Sequence, residues 1–296
     1  MNLKSFLEYL KNEKNASDNT VTAYGRDINA FARYMSEKNS SLDKVNKTDI
    51  LGYLMDMNKK GRSKSTTNRK LASLRAYFDY LMRIGTIKNN PTDDIKTPRA
   101  ERKDLDYLSA SEVEALLEAP DQTLKGIRDK AILEVLYGTG IRVMELIELN
   151  HGDINLRMGF ITCSGNHGKP RIVPLGSYAK NALDRYMRES RQALMHVSKK
   201  KDTDEAPLFL NYLGERFTRQ GLWKVLKQYG EAVGMPGRIT PHILRTSFAV
   251  HMIQNGADIK TLQELMGYDD MQAMQVFMQV SKTRIKDVFD RTHPRA

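Results

Sequence analysis

Thr240-Pro-His-Ile-Leu-Arg245 is the stretch that decides how the chain is read. A threonine followed by proline is a helix-start signal, because the hydroxyl caps a free amide and the ring pre-sets the backbone. The spacing predicts a new helix with His242 and Arg245, at i and i+3, on one face. An imidazole beside a guanidinium supplies the positioning and charge stabilisation that phosphoryl chemistry asks of a protein. The same H-x-x-R pair also occurs on many surface helices, so it does not decide alone. Upstream, Gly138-Thr-Gly-Ile-Arg142-Val-Met-Glu145 predicts a glycine-rich turn leading into a helix whose first turn holds Arg142. Amides at a helix start and a guanidinium fork together form an anion site suited to a phosphate. A plain helix connection with a surface arginine is the competing reading. Glu145 either orients Arg142 or is an ordinary first-turn acid.

Outward from these motifs, the first hundred residues read as helices only. One covers about Leu3 to Leu10. Ser17 caps a second, with Val21, Tyr24, Ile28 and Phe31 at helical spacing. Thr48 opens a third, stopped by Gly61, and Ser65 or Thr66 opens a fourth with Leu71, Leu74, Phe78 and Leu81. Residues 90–108, with two prolines and few apolar groups at their start, read as a linker between a helical domain at 1–89 and a second domain at 109–296. There, Ser109-Ala-Ser-Glu112 resembles a capping box. A helix from Ile127 to Tyr137 ends at Gly138, and Phe160–Ser164 and Arg171–Leu175 predict a hairpin around Gly165-Asn-His-Gly168. From Ser177 onward the pattern is mostly helical, with one β-like piece at Pro207–Leu210.

The formal net charge is +11. Residues 1–103 hold 21 Lys and Arg against 12 Asp and Glu, whereas residues 104–296 hold 26 against 24. A basic half joined to a near-neutral half suggests that the first half tracks a polyanion; a solvated basic surface is the alternative. Within it, Lys59, Lys60, Arg62 and Lys64 form a basic turn suited to a phosphate backbone. Arg69, Lys70 and Arg75 on the next helix are suited to a groove or to phosphates. The single cysteine, Cys163, excludes an internal disulfide and any all-cysteine metal site. It points to a reducing, cytoplasmic setting. No run is long and apolar enough to span a membrane.

The C-terminal stretches Asn255-Gly-Ala-Asp-Ile-Lys-Thr-Leu-Gln-Glu-Leu-Met-Gly267, Gln275-Val-Phe277, Val280-Ser-Lys-Thr-Arg284 and Thr292-His-Pro-Arg-Ala296 turn the weak signals into a strong one. With Gly138–Arg142, Arg171-Ile-Val-Pro-Leu175 and Ser17–Asp27, they closely resemble the tyrosine recombinases, nearest to the bacterial Xer group. The resemblance runs nearly end to end. It implies a mainly α fold with a small β-hairpin: an N-terminal four-helix, SAM-like core-binding domain and a catalytic domain, forming a C-shaped clamp on duplex DNA. It also implies cleavage and rejoining through a phosphotyrosine link, with no metal or cofactor.

Carried over position by position, the resemblance makes Arg142, His242 and Arg245 the groups that stabilise the pentavalent phosphate. The hairpin lysine's place holds Asn166, and Lys169 is a possible substitute. Tyr268 stands where histidine or tryptophan is usual and still offers a hydrogen bond. Phe277 fills the nucleophile's place without a hydroxyl. The expectation is a DNA-binding protein impaired in strand cleavage and assembling as a dimer or tetramer on DNA. The alternatives are an active recombinase carrying an engineered Tyr-to-Phe change and a helper subunit of a competent sibling recombinase. The tail at 286–296 resembles the segment that family members dock into a neighbouring subunit.

Overall fold

The computed structural model describes residues 3–38, 42–96, 105–164, 170–198, 203 and 205–278, and they divide into two compact units with the boundary at Arg102/Lys103. Asn166, Lys169 and the tail from 286 lie outside the described residues.

In the first unit, α1 (Leu3–Asn12), α2 (Asp18–Glu37), α3 (Lys47–Lys59) and α4 (Lys64–Arg83) close around Phe6, Ile28, Phe31, Met35, Ile50, Leu71, Leu74 and Phe78. Ser17 caps α2 as expected, its side chain accepting from the Thr20 amide. Two other starts move upstream. Asn46, not Thr48, caps α3, because Asn46 and Asp49 satisfy each other's amides reciprocally. Ser63, not Ser65 or Thr66, caps α4, its hydroxyl accepting from the Thr66 amide. The stretch 90–96, read as linker, packs onto this unit instead. Thr92 and Ile95 are buried, and Asn90 donates to Asp79 at 2.6 Å.

In the second unit, the far end of the presumed linker is ordered as well. Leu108 is fully buried, and its amide donates to Ser247 Oγ at 2.8 Å. The capping box forms at α5 (Ala110–Glu118), with the Ser109 amide donating to Glu112 Oε2 at 2.7 Å. The central helix, α6 (Leu124–Thr139), is buried nearly all round. It runs through Gly138, which approaches the Ala179 methyl group, and ends at Gly140 with φ +60°. A Cβ at Gly140 would stand 2.3 Å from Phe248 Cδ1, so both conformation and space require glycine. After α7 (Val143–Glu148) comes a three-stranded antiparallel sheet: β1 (Ile154–Asn155), which periodicity did not reveal, β2 (Phe160–Cys163) and β3 (Arg171–Pro174). The β2–β3 register pairs Ile161 with Val173 and Cys163 with Arg171. Ile161, Cys163 and Val173 face the core, and burial pushes the Cys163 thiol up to about 12. Next come α8 (Ser177–Arg185), a π-helical turn at Tyr186–Arg191 and α9 (Gln192–Ser198). The 207–210 stretch is a strap rather than a strand, making only isolated bridges at Pro207 and Leu210. Buried Arg191 and Tyr186 donate to its carbonyls. The chain continues through α10 (Arg219–Ala232), α11 (Pro241–Gln254), α12 (Ile259–Met266) and a 3₁₀ segment at Gln272–Phe277.

Candidate phosphate site

Thr240 caps α11, accepting from the Ile243 amide at 3.1 Å, with Pro241 in the first turn. One turn on, Arg245 is buried. It donates to the carbonyls of Gly140 at 2.5 Å and Met266 at 2.6 Å. Arg142 arrives from the other side, as the residue before α7 rather than in its first turn. Its Nη2 donates to the Gly267 carbonyl at 2.5 Å and its Nη1 to Glu145 at 3.0 Å. Both guanidinium groups flank one ring: Tyr268 lies 5.5 Å from Arg142 Cζ and 4.8 Å from Arg245 Cζ. The fold thus brings together Arg142, Arg245, Glu145 and Tyr268, although more than a hundred residues of sequence separate the two arginines.

The expected anion site on helix amides is corrected. α7 has six residues, and the Arg142 amide is already taken by Glu145 Oε2 at 2.6 Å. Binding capacity therefore rests on side chains. Glu145 is the hub of these contacts, and sequence reading gave it only an optional role. Arg171, from β3, was assigned none, yet it grips Glu145 with both terminal nitrogens, at 2.5 and 2.8 Å. Arg171 Nε also donates to the Leu265 carbonyl at 3.0 Å. The run Arg171-Ile-Val-Pro-Leu175 gave a landmark but no charge partner, since the partner lies 26 residues away on another element.

Burial pushes the Glu145 carboxyl upward, but hydrogen bonds from Arg171 and the Arg142 amide outweigh it and hold the group below its ordinary value. For Arg245, burial lowers the pKa, the Tyr268 phenol works against that, and Arg142 adds repulsion. Three guanidinium groups face one carboxylate here, leaving two formal positive charges in a largely desolvated place. Such an arrangement gains most when an anion enters.

His242 shares α11 with Arg245, and Phe277 belongs to the cluster against which Tyr268 packs. His242 is exposed on the first turn of α11. Phe277 is buried in an apolar cluster with Phe248, Ala249, Val250 and Ile253 of α11, Leu262 and Met266 of α12, and Met274. His251, later on α11, shares a 2.9 Å hydrogen bond with the Tyr137 hydroxyl and lies edge-on to Tyr107 and Tyr137.

In the first unit, Lys59, Lys60, Arg62 and Lys64 are exposed, and Lys60 pairs with Asp56 at 2.8 Å. Lys60, Arg62 and Lys70 line one groove of about 430 Å³ with Arg33, Tyr34 and Tyr53. The picture of α4 as a row of phosphate-seeking cations is revised. Arg69 and Lys70 both pair with buried Asp27, which Ser73 also contacts. Arg75 donates to the Ile95 carbonyl. Arg69 and Lys70 thus tie α4 to α2, and Arg75 ties it to the 90–96 stretch.

The family model described as "Phage integrase family" matches residues 106–284, and the one described as "Phage integrase, N-terminal SAM-like domain" matches residues 3–85. The tyrosine recombinase XerD of Oceanobacillus iheyensis is 43% identical over 296 residues, covering 99% of this chain and 98% of the relative. XerD of Listeria innocua is 41% identical over 297 residues, with 99% of each covered. Among solved structures, XerA recombinase matches 99% of this chain and 98% of its own, at 25% identity and TM-score 0.54. XerH bound to a palindromic difH substrate matches 97% of this chain and 83% of its own, at 22% identity and TM-score 0.76.

Proposed function

The chain belongs to the phage integrase family of tyrosine recombinases, and on that premise we propose that it holds duplex DNA for Xer-type site-specific recombination without forming the phosphotyrosine link itself. One observation carries the reading: Arg142 and Arg245 flank Tyr268 with a net positive charge, while position 277 presents a buried phenyl ring instead of a hydroxyl. The guanidinium forks suit a phosphodiester oxygen. A phenyl ring has no lone pair with which to displace the 5′ oxygen from phosphorus.

Exposed His242, at the start of the helix that carries Arg245, is the imidazole available to that phosphate. Asn166 in the lysine's place removes a general acid, which is worth on the order of a hundred- to ten-thousand-fold in rate. The basic first unit supplies salt-sensitive affinity for the backbone. A competent sibling recombinase in the same assembly would supply the hydroxyl.

The test is a suicide-substrate assay on the site the protein binds. We expect DNA binding that Arg142→Ala and Arg245→Ala both weaken, with no covalent adduct on denaturing gels. We also expect Phe277→Tyr alone to form the adduct at least about a hundredfold more slowly than a competent recombinase, because Asn166 remains. A covalent adduct with the unaltered chain would overturn the reading. Gel shifts with this protein and a sibling, separately and mixed, test for a joint complex.

A further inference from the structure

We propose that Arg171 is a positioning residue of the phosphate site: it keeps Glu145 from neutralising Arg142 and ties the β2–β3 hairpin to the end of α12, without touching DNA itself. The inference deepens the proposed function and rests on it.

Three observations meet at this side chain. First, its two terminal nitrogens take both oxygens of Glu145, the same carboxylate that Arg142 uses through its amide and its Nη1. Without Arg171, Glu145 and Arg142 would form a closed pair with no net charge to offer a phosphate. With it, the triad keeps one positive charge, and the carboxylate is held back by a second fork.

Second, Arg171 Nε donates to the Leu265 carbonyl, while Arg245 and Arg142 take the next two carbonyls, those of Met266 and Gly267. Three cations therefore cap the C-terminal carbonyls of α12, where the helix dipole is negative. That end leads directly into Tyr268, the ring between the two clamp arginines. Third, the packing leaves no slack. Gly267 has φ +64°, and a Cβ there would stand 2.8 Å from Arg171 Nη1. Burial alone would lower the Arg171 pKa, and Glu145 outweighs it and raises it. At 13% side-chain exposure the group is largely enclosed by these contacts.

The experiment is a double-mutant cycle on the full chain, read as affinity for a short mixed-sequence DNA duplex, with thermal melts run in parallel. Arg171→Gln should weaken binding about tenfold or more, the range expected when one charge-assisted contact to phosphate is lost. Adding Glu145→Gln to Arg171→Gln should recover most of that loss, because the unopposed carboxylate is then gone. A residue that merely supported the fold would lose affinity in step with its melting temperature and regain none on Glu145→Gln, and a double variant no tighter than Arg171→Gln would overturn the proposal. If Arg171→Gln does not fold, Arg171→Lys replaces it. A lysine cannot grip both carboxylate oxygens and the Leu265 carbonyl together, so affinity should fall between wild type and Arg142→Ala, and wild-type affinity would overturn the idea. The two failures are separable. If Arg142→Ala binds like wild type, the phosphate site itself is wrong. If Arg142→Ala is weak but Arg171→Gln is not, only the role of Arg171 is wrong.

Discussion

Glycine at 140 does three jobs at one position. Its left-handed backbone ends α6, and its missing side chain lets Phe248 lie against it while its carbonyl receives Arg245. Gly140→Ala should therefore cost about 2–4 kcal/mol from strain and overpacking together, measured as a drop in Tm. It should also weaken DNA binding, through Arg245. Glu145 gives a prediction in pH. Its folded pKa is held below the ordinary carboxylate value, so its stabilising contribution is present above that ordinary value and is lost as pH falls through the folded one. Glu145→Gln should be less stable than wild type at neutral pH, and the gap should close in acid. A gap that stays constant with pH would show that the carboxylate charge is not what stabilises.

Among the elements, α2 and α4 are joined through one buried acid. Asp27 takes Arg69, Lys70 and Ser73, so Asp27→Ala would strand a Lys70 side chain only 17% exposed. The expected loss is about 3 kcal/mol, in the range for breaking a buried ion pair, read by chemical denaturation. Substituting Lys70 should likewise lower stability before it changes DNA affinity, whereas Lys59 and Arg62 on the exposed turn should do the reverse. Each exposed cation that does contact phosphate should lower the salt slope by about one when removed.

Helix starts were legible where a hydroxyl stood directly ahead of the periodic run, as at Ser17, Ser109 and Thr240. They slipped by about two residues where several polar side chains competed, at Asn46 and Ser63, since only geometry shows which one reaches the third amide. The 207–210 strap read as β because it is apolar. Its backbone is satisfied by Leu149 and Phe217 main-chain groups together with the side chains of Arg128, Arg191 and Tyr186, which periodicity cannot report. That Arg142 and Arg245 belong to one site was an expectation of the motif resemblance, and the two meet at Tyr268. The role of Arg171 was not expected, because it depends on a carboxylate on another element.

For the whole molecule, the apolar clusters fall into two folding units, one built around Phe31 and Leu74 and one holding both the core around α6 and the Phe248 cluster. A fragment ending at residue 96 should melt cooperatively by itself. One ending at residue 85, where the family match stops, should be less stable, because it loses buried Thr92 and Ile95 and the Asn90–Asp79 bond. Comparing their unfolding midpoints checks this directly.

Phe277 bears on stability as well as chemistry. Its ring lies among Phe248, Val250, Met266 and Met274. Phe277→Tyr would set a phenol oxygen beside these apolar groups, where an unpaired hydroxyl costs about 1–3 kcal/mol. That variant should therefore melt below the unaltered chain.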